Sequence, residues 1–330
     1  MVDFRNMDCM ELMATLEDKS QHLIIVDPPY FEVKGKFDFI WDSSEDYLID
    51  VEKWAKEIKR VMADNGTLFW WGHAKKIAYS QIILDKYFNL ENHLKWEKKD
   101  CQTMAQDFEQ ARTYAPVTEH LLMYSNDVLK TGLQEIYDNP NLFLPIKKYM
   151  RAERDKLMAQ KGFKTISKFN DFINNWTGTS NVVSRHYFAD SQYFFPVAKI
   201  YKKMQETGFW RKEYEELRSE YEELRSEYEE LRRPFNNYMK LTDVLKFSQQ
   251  THITGKWKHP TMKPPQLCSA LIRTCSRKGM NMLVPFGGSG SECIEGFHAG
   301  LNVVSSELDK DYFDMAQQRI LEETAQLSLF

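Results

Sequence analysis

The chain has 330 residues, 42% of them hydrophobic and 28% charged, with a formal net charge of −4. That length suits one large α/β domain with a smaller one beside it. The first ten residues hold two aspartates and no apolar core, and no apolar run reaches the roughly 18 residues that a membrane helix needs, so neither a signal peptide nor a membrane span is expected. Five cysteines, at 9, 101, 268, 275 and 293, form no Cys-x-x-Cys pair and no Cys/His cluster. That pattern points to a reducing, cytoplasmic setting and no metal.

In chain order, the first strong signal is the apolar run His22–Val26, which reads as a buried β-strand. It ends in Asp27-Pro28-Pro29-Tyr30. Neither proline donates a ladder hydrogen bond and each fixes φ, so the chain must turn there, leaving a carboxylate and a phenol at the lip of the sheet. Phe31 and the polar, aromatic segment that follows, to Tyr47, suit a flap over a ligand. Strands alternate with helices to about Tyr124 and again from 281 to 320, whereas 125–258 loses that alternation. Within it, Gly162 to Tyr187 reads as two short helices joined by Thr177-Gly178-Thr179.

Residues 213–233 are three near-identical heptads, EYEELRS, EYEELRS and EYEELRR, carrying nine Glu and four Arg. Without them the net charge becomes +1, and 147–168 alone holds eight Lys/Arg against two acids. Tyr214, Tyr221, Tyr228 and Leu217, Leu224, Leu231 alternate at spacings of three and four, an a/d seam about 32 Å long if helical. Such a seam can join a second copy in a homodimer, pack in cis, or act as a spacer.

Further on, a proline-stiffened loop from His259 leads into an amphipathic helix with Leu267, Leu271 and Ile272 on one face. Residues 282–291, MLVPFGGSGS, are a strand and a glycine-rich turn, followed by a helix to Ala299 and a second apolar strand ending at Glu307. Glycines let a backbone approach a ligand closely. An acid at the tip of the next strand is placed to accept ribose hydroxyls.

Asp-Pro-Pro-Tyr at a strand end resembles motif IV of the amino-methyltransferases, which methylate exocyclic amines of DNA bases. His259-Pro260-Thr261-Met262-Lys263-Pro264 is similar to their motif X, and Phe286-Gly287-Gly288-Ser289-Gly290 to their glycine turn. The order of these segments resembles the circularly permuted β-class. Asn6 to Glu11, residues 63–73 and Thr118 to Leu122 resemble further family segments.

The resemblance implies an α/β fold: a circularly permuted Rossmann-like methyltransferase sheet, 1–124 with 255–330, carrying an inserted helical target-recognition region at 125–254. It implies S-adenosylmethionine as cofactor, held by Asp8, Asp27, Thr261, Lys263, Pro285, Phe286, Gly288, Ser289, Gly290 and Glu307. Asp8 is expected at the adenine, and Thr261 and Lys263 at the methionine end. Asp27, Pro28, Pro29 and Tyr30 are the expected catalytic group, with Tyr30, then Phe31, as stacking platform for a flipped base. One departure stands out: Val284 occupies the place of a customary aspartate, removing a carboxylate for the cofactor's ammonium group.

The expected reaction is methylation of adenine N6 in duplex DNA. Cytosine N4 is the alternative, and a silent DNA-binding subunit is a reading from another class. The cysteines argue against a cytosine-C5 enzyme, which needs a Pro-Cys nucleophile, because none of them follows a proline. Lys164, Lys168, Arg185 and His186 are candidate DNA contacts, should the second short helix enter the major groove; an ordinary helical hairpin is the competing reading. Expected partners are duplex DNA, a second copy through 213–233, and a cognate restriction enzyme.

Overall fold

The structure, a computed structural model, describes residues 1–31, 40–99, 112, 114, 116–126, 141, 143–190, 192–249, 256–257 and 262–325. The chain divides into two compact units, Met1–Leu129 with Arg233–Phe330, and Lys130–Arg232.

The first unit is built on an eight-stranded sheet. Its strands are β1 (Val2–Asn6), β2 (Gln21–Val26), β3 (Met62–Gly72), β4 (Asn89–Lys99), β5 (Thr118–Ser125), β6 (Val244–Ser248), β7 (Asn281–Val284) and β8 (Asn302–Glu307). They lie in the order β1-β8-β7-β2-β3-β5-β4-β6, and β5 runs antiparallel to both neighbours while the other pairings are parallel. β2 pairs with β7, Leu23 opposite Met282 and Ile24 opposite Leu283, although some 250 residues separate them in sequence. From β7 the chain crosses to β8 on one side, and from β2 to β3 on the other. The strand order therefore reverses between β7 and β2, where open α/β sheets bind their ligands.

β2 is apolar throughout because both its faces are covered. Ile24 and Val26 join Leu68 and Trp70 of β3 in one core, against α1 (Cys9–Ala14), α2 (Ser44–Val61) and α3 (Ile77–Leu84). Leu23 and Ile25 join Phe69 and Trp71 in the other, against the helices assigned here as α8 (Pro265–Thr274), α9 (Ser291–His298) and α10 (Lys310–Ala325). The expected face of Leu267, Leu271 and Ile272 is buried in this second core.

α2 begins within the segment expected to form a flap. Ser43 caps it, accepting the Asp46 N–H at 3.1 Å, and Tyr47 is buried in its first turn. Residues 32–39 of that segment lie outside the described residues.

Residues 233–249 belong to the sheet unit, not to the insert expected at 125–254. β6 closes the sheet beside β4, from Lys95 opposite Val244 to Lys99 opposite Ser248, and buries Leu245. A short strand near a long helical region carries too little periodicity to be separated from it.

The second unit contains α4 (Leu144–Lys161), α5 (Ile166–Thr177), α6 (Ala198–Gln205) and α7 (Tyr214–Leu231) around an aromatic-rich core that includes Phe143, Phe169, Tyr187, Tyr201 and Trp210. The first expected short helix is α5, which ends at Gly178 with φ +72°. The second is not an α-helix but a single π-helical turn, Val183–Tyr187. Asn174 accepts the Ser184 N–H at 3.3 Å and donates to its hydroxyl at 2.9 Å, pinning that turn to α5.

The heptads form α7, and their seam is used in cis. Leu217 is fully buried, and Tyr214, Tyr221, Leu224 and Tyr228 pack on the unit's own core. Tyr221 stacks between Phe143 and Phe195, with centroids at 4.6 and 4.5 Å. Leu231, at the end of the seam, is 65% exposed.

Candidate active site

Asp27, directly after β2, stands at this lip. Tyr30 donates its hydroxyl to Asp27 Oδ1, and Lys263 donates from Nζ to Oδ2 at 2.6 Å. The two prolines make the turn that brings Tyr30 back onto the carboxylate; Pro28 is buried and Pro29 half-buried. Tyr30 is half-buried and packs beside the second core, whereas Phe31 is buried in the first, stacked on Tyr47 at 5.8 Å. Phe31 is therefore a core residue, which leaves Tyr30 as the candidate stacking platform.

Lys263, expected at the cofactor, is set on Asp27. It is 2% exposed, lies 3.3 Å from Glu119 Oε2 outside hydrogen-bond geometry, and sits 4.8 Å from the centre of the Trp71 ring. Burial works against its charge, but Asp27 and Glu119 outweigh that and hold the ammonium well above the usual lysine range. Glu119 also takes Lys98 Nζ, at 2.6 Å. Burial alone would raise the Glu119 carboxyl; Lys263 and Lys98 instead bring it down to about 2.

Sequence reasoning saw Glu119 only as part of a strand. It reaches the site because β5 runs backwards, so its first residues stand at the carboxyl end of β3, with His120 opposite Gly72. Its only signal in the sequence was an acid at the start of a strand that turns apolar from Leu121.

The lip of β7 is made of backbone. Among Pro285, Phe286, Gly288, Ser289 and Gly290, only Phe286 and Gly288 are partly exposed. Phe286 packs edge-on against Trp54 at 5.0 Å. The Pro285 carbonyl accepts the Ser306 hydroxyl at 2.8 Å. The Ser289 hydroxyl is paired with Ser291 at 3.1 Å, and buried Arg319 donates to the Ser289 carbonyl at 3.0 Å, so Ser289 shapes the turn from beneath. Gly287 is required by packing, since a Cβ there would collide with the ring of Phe4. Gly290 has φ +76° and starts α9.

Glu307, ending β8, accepts the Gly288 N–H on Oε2 and the Asp309 N–H on Oε1, both at 2.9 Å. Burial raises its carboxyl and these two bonds lower it, with a net rise. Each oxygen keeps a lone pair for a hydroxyl donor. Asn6 opposes Glu307 across the β1–β8 pair and donates to its carbonyl at 2.8 Å, tying the two strand ends together, a role the sequence did not disclose. Asp8, two residues on, caps α1 by accepting the Met10 N–H at 2.7 Å. Thr261 lies outside the described residues.

These strand ends fit S-adenosylmethionine. At Gly287 a Cβ would collide with the Phe4 ring, Gly288 presents a partly exposed backbone beside the Glu307 carboxylate, and the acids of the lip suit a ligand that carries a sulfonium and an ammonium. Among the described residues no group of three or more His, Cys, Asp or Glu is arranged to hold a metal ion. No helix among them is long and apolar enough to cross a membrane.

Of the candidate DNA contacts, all in the helical unit, Lys164, Lys168 and Arg185 are exposed. His186 is half-buried, with its Nδ1 against the Gln192 carbonyl at 2.9 Å and its ring against Phe194 at 4.5 Å.

Known proteins resemble this chain in sequence and in fold. The chain is 21% identical over 317 residues to the Type II methyltransferase M1.MboII of Moraxella bovis, covering 94% of this chain and 93% of that one. Its fold matches a DNA modification methylase of Thermus thermophilus, TTHA0409, solved with S-adenosyl-L-methionine, at a TM-score of 0.52 and 15% identity, covering 98% and 95% of the two chains. It also matches the cytosine-N4-specific PvuII DNA methyltransferase at 0.53 and 10% identity, covering 98% and 92%. Residues 21–318 fit the DNA methylase family whose members modify N6 or N4 amino groups. The chain belongs to this family of N6/N4 DNA methylases.

Proposed function

We propose that the chain transfers a methyl group from S-adenosylmethionine to the N6 amino group of adenine in duplex DNA. The observation that carries this reading is the convergence of Tyr30 and Lys263 on the carboxylate of Asp27. The cofactor supplies an electrophilic methyl group on a sulfonium; everything else is asked of the chain.

An exocyclic amine is a poor nucleophile because its lone pair is conjugated with the ring. Asp27 and the Pro28 carbonyl accept its two hydrogens, which favours the pyramidal nitrogen that attacks. The Lys263 ammonium, braced by Glu119, fixes the carboxylate, so orientation and electrostatics provide the rate without a covalent intermediate. In a duplex the amine is paired, so the base must turn out of the helix at a cost of about a few kcal/mol and stack on Tyr30. The hydroxyl of Tyr30 then yields Asp27 Oδ1 to the amine.

The resemblance favours adenine over cytosine, since Asp-Pro-Pro-Tyr is the usual adenine form of the motif and cytosine-N4 members more often carry serine at the place of Asp27. The intact ion cluster around Asp27 favours an active enzyme over a silent subunit. The helical unit, with Lys164, Lys168 and Arg185 in solvent, is the part we assign to reading the sequence. The Type II designation of M1.MboII suits a chain that acts beside a restriction enzyme. A homodimer finds no support in the heptads, whose seam is occupied in cis.

The test is incubation of the purified chain with unmethylated duplex DNA and tritiated S-adenosylmethionine, followed by nucleoside digestion and mass spectrometry. N6-methyladenine is the expected product. N4-methylcytosine would move the reaction to the other base. Cofactor binding without transfer would leave a DNA-binding subunit.

A further inference from the structure

Three carboxyl groups, of Asp27, Glu119 and Glu292, share the buried surroundings of Lys263, and among the described residues only Lys98, on Glu119, adds a second ammonium. Glu119 lies between the two lysines and Asp27 is held by Lys263, so the third acid is the one left over. Glu292 stands in the first turn of α9, two residues past the glycine turn, and is 6% exposed. Among the described residues, the groups around it are Asp27 at the end of β2, Lys263 ahead of α8, and the thiol of Cys268 on α8; Glu295 adds a further acid beside Cys268. A thiol is a weak donor and neutralises nothing. Burial, and then repulsion by Asp27, push the Glu292 carboxyl up, and Lys263 offsets this only in part. A buried carboxylate without its full complement of positive charge is costly unless a ligand brings the missing cation.

S-adenosylmethionine carries two positive groups and one negative, a net charge of +1. Its sulfonium has no hydrogen to donate, whereas its α-ammonium group has three, and a buried carboxylate gains most from a donor that is also charged. Val284, where such an acid would precede the glycine turn, is itself 1% exposed in the core.

We propose that Glu292 is the carboxylate that receives the α-ammonium group of the cofactor's methionine moiety, supplying from the start of α9 the charge that position 284 lacks. This rests on S-adenosylmethionine being the ligand of the site.

Calorimetric titration of the full chain and of Glu292→Gln with three ligands tests it. S-adenosylmethionine has both the sulfonium and the ammonium, S-adenosylhomocysteine keeps only the ammonium, and 5′-methylthioadenosine has neither. The substitution is expected to weaken the first two by roughly 10- to 100-fold, the range for a hydrogen bond between charged groups, and to leave 5′-methylthioadenosine within about twofold. Weakening of S-adenosylmethionine alone would assign Glu292 to the sulfonium and overturn the proposal. Equal weakening of all three, or of none, would overturn it as well, since the acid would then support the turn or do nothing for the ligand. Should Glu292→Gln fail to fold, Glu292→Asp keeps the charge but withdraws it by one methylene, and the same contrast between S-adenosylhomocysteine and 5′-methylthioadenosine is expected at severalfold. A wild-type chain that binds none of the three would remove the cofactor reading itself; a wild-type chain that binds them while the variant shows no contrast would remove only the role of Glu292.

Discussion

The two units of this chain place the charges of their candidate sites in opposite ways, although the helical unit also buries Lys147 and Glu153. In the sheet unit the ions at the site are inside: Lys263, Glu119 and Glu292 are withdrawn from water and set against one another around Asp27. In the helical unit the core is aromatic, and Lys164, Lys168 and Arg185 stand in solvent. A buried charge is held in one place and interacts strongly, because the surrounding dielectric is low. An exposed cation is screened, contributes little alone, and works in numbers against a polyanion. The first arrangement suits one small ligand and one reacting amine, and the second suits contact with a long phosphate backbone.

The sharpest way to break the contrast is Asp27→Ala. Methyl transfer should fall on the order of a hundred- to a thousand-fold or more, as when a preorganised polar group is removed from a reacting centre, while S-adenosylmethionine still binds. A variant that keeps its single-turnover rate would sink the mechanism.

Next comes the core of the helical unit. Leu217→Ala should cost about 2–5 kcal/mol, the range for emptying a fully buried leucine site. Leu231→Ala, at the exposed end of the same seam, should cost less than about 0.5 kcal/mol. Hydrogen exchange of the α7 amides in increasing urea reads both. Equal losses at the two sites would point to a partner helix on the seam.

A smaller effect is expected from Glu119→Gln, about 1–3 kcal/mol for losing a hydrogen bond to a charged group. Because folding depresses this carboxyl from 4.5 to about 2, its contribution is complete above pH 4.5 and disappears as the pH falls towards 2. Urea midpoints of wild type and variant should thus differ at neutral pH and converge in acid. A gap that stays constant down to pH 2 would mean that the ion pairs are not its source.

The mildest outcome belongs to the surface. Lys168→Ala and Arg185→Ala should each weaken duplex binding severalfold for any sequence and reduce the salt slope by about one, with turnover at saturating DNA unchanged. A loss confined to one DNA sequence would instead make that residue a reader of bases.

Much of the catalytic half was legible from the chain. Asp27-Pro28-Pro29-Tyr30 and the turn at 286–290 lie at strand ends, as their prolines and glycines required, and β2, β7, α9 and β8 fall close to the expected bounds. The helical region was less legible. Val183–Tyr187 has the composition of a helix but is a π-helical turn, because Asn174 ties Ser184 to α5. The strand Val244–Ser248 was hidden in the region taken for an insert, since five residues carry almost no periodicity.

What the sequence determined by itself was local: where strands stop, where the backbone turns, and which face of α8 is apolar. Each of these depends on residues within a few positions of one another, through φ restrictions, missing donors and side-chain period. What only the tertiary structure decided was which distant charges meet. Lys263 reaches Asp27 across 236 positions, and Glu119 joins them because one strand runs against its neighbours. The same holds for the heptads, whose seam fits another copy as well as the unit's own core. Pairing of charges and of apolar faces depends on where the chain returns in space, which no local pattern encodes.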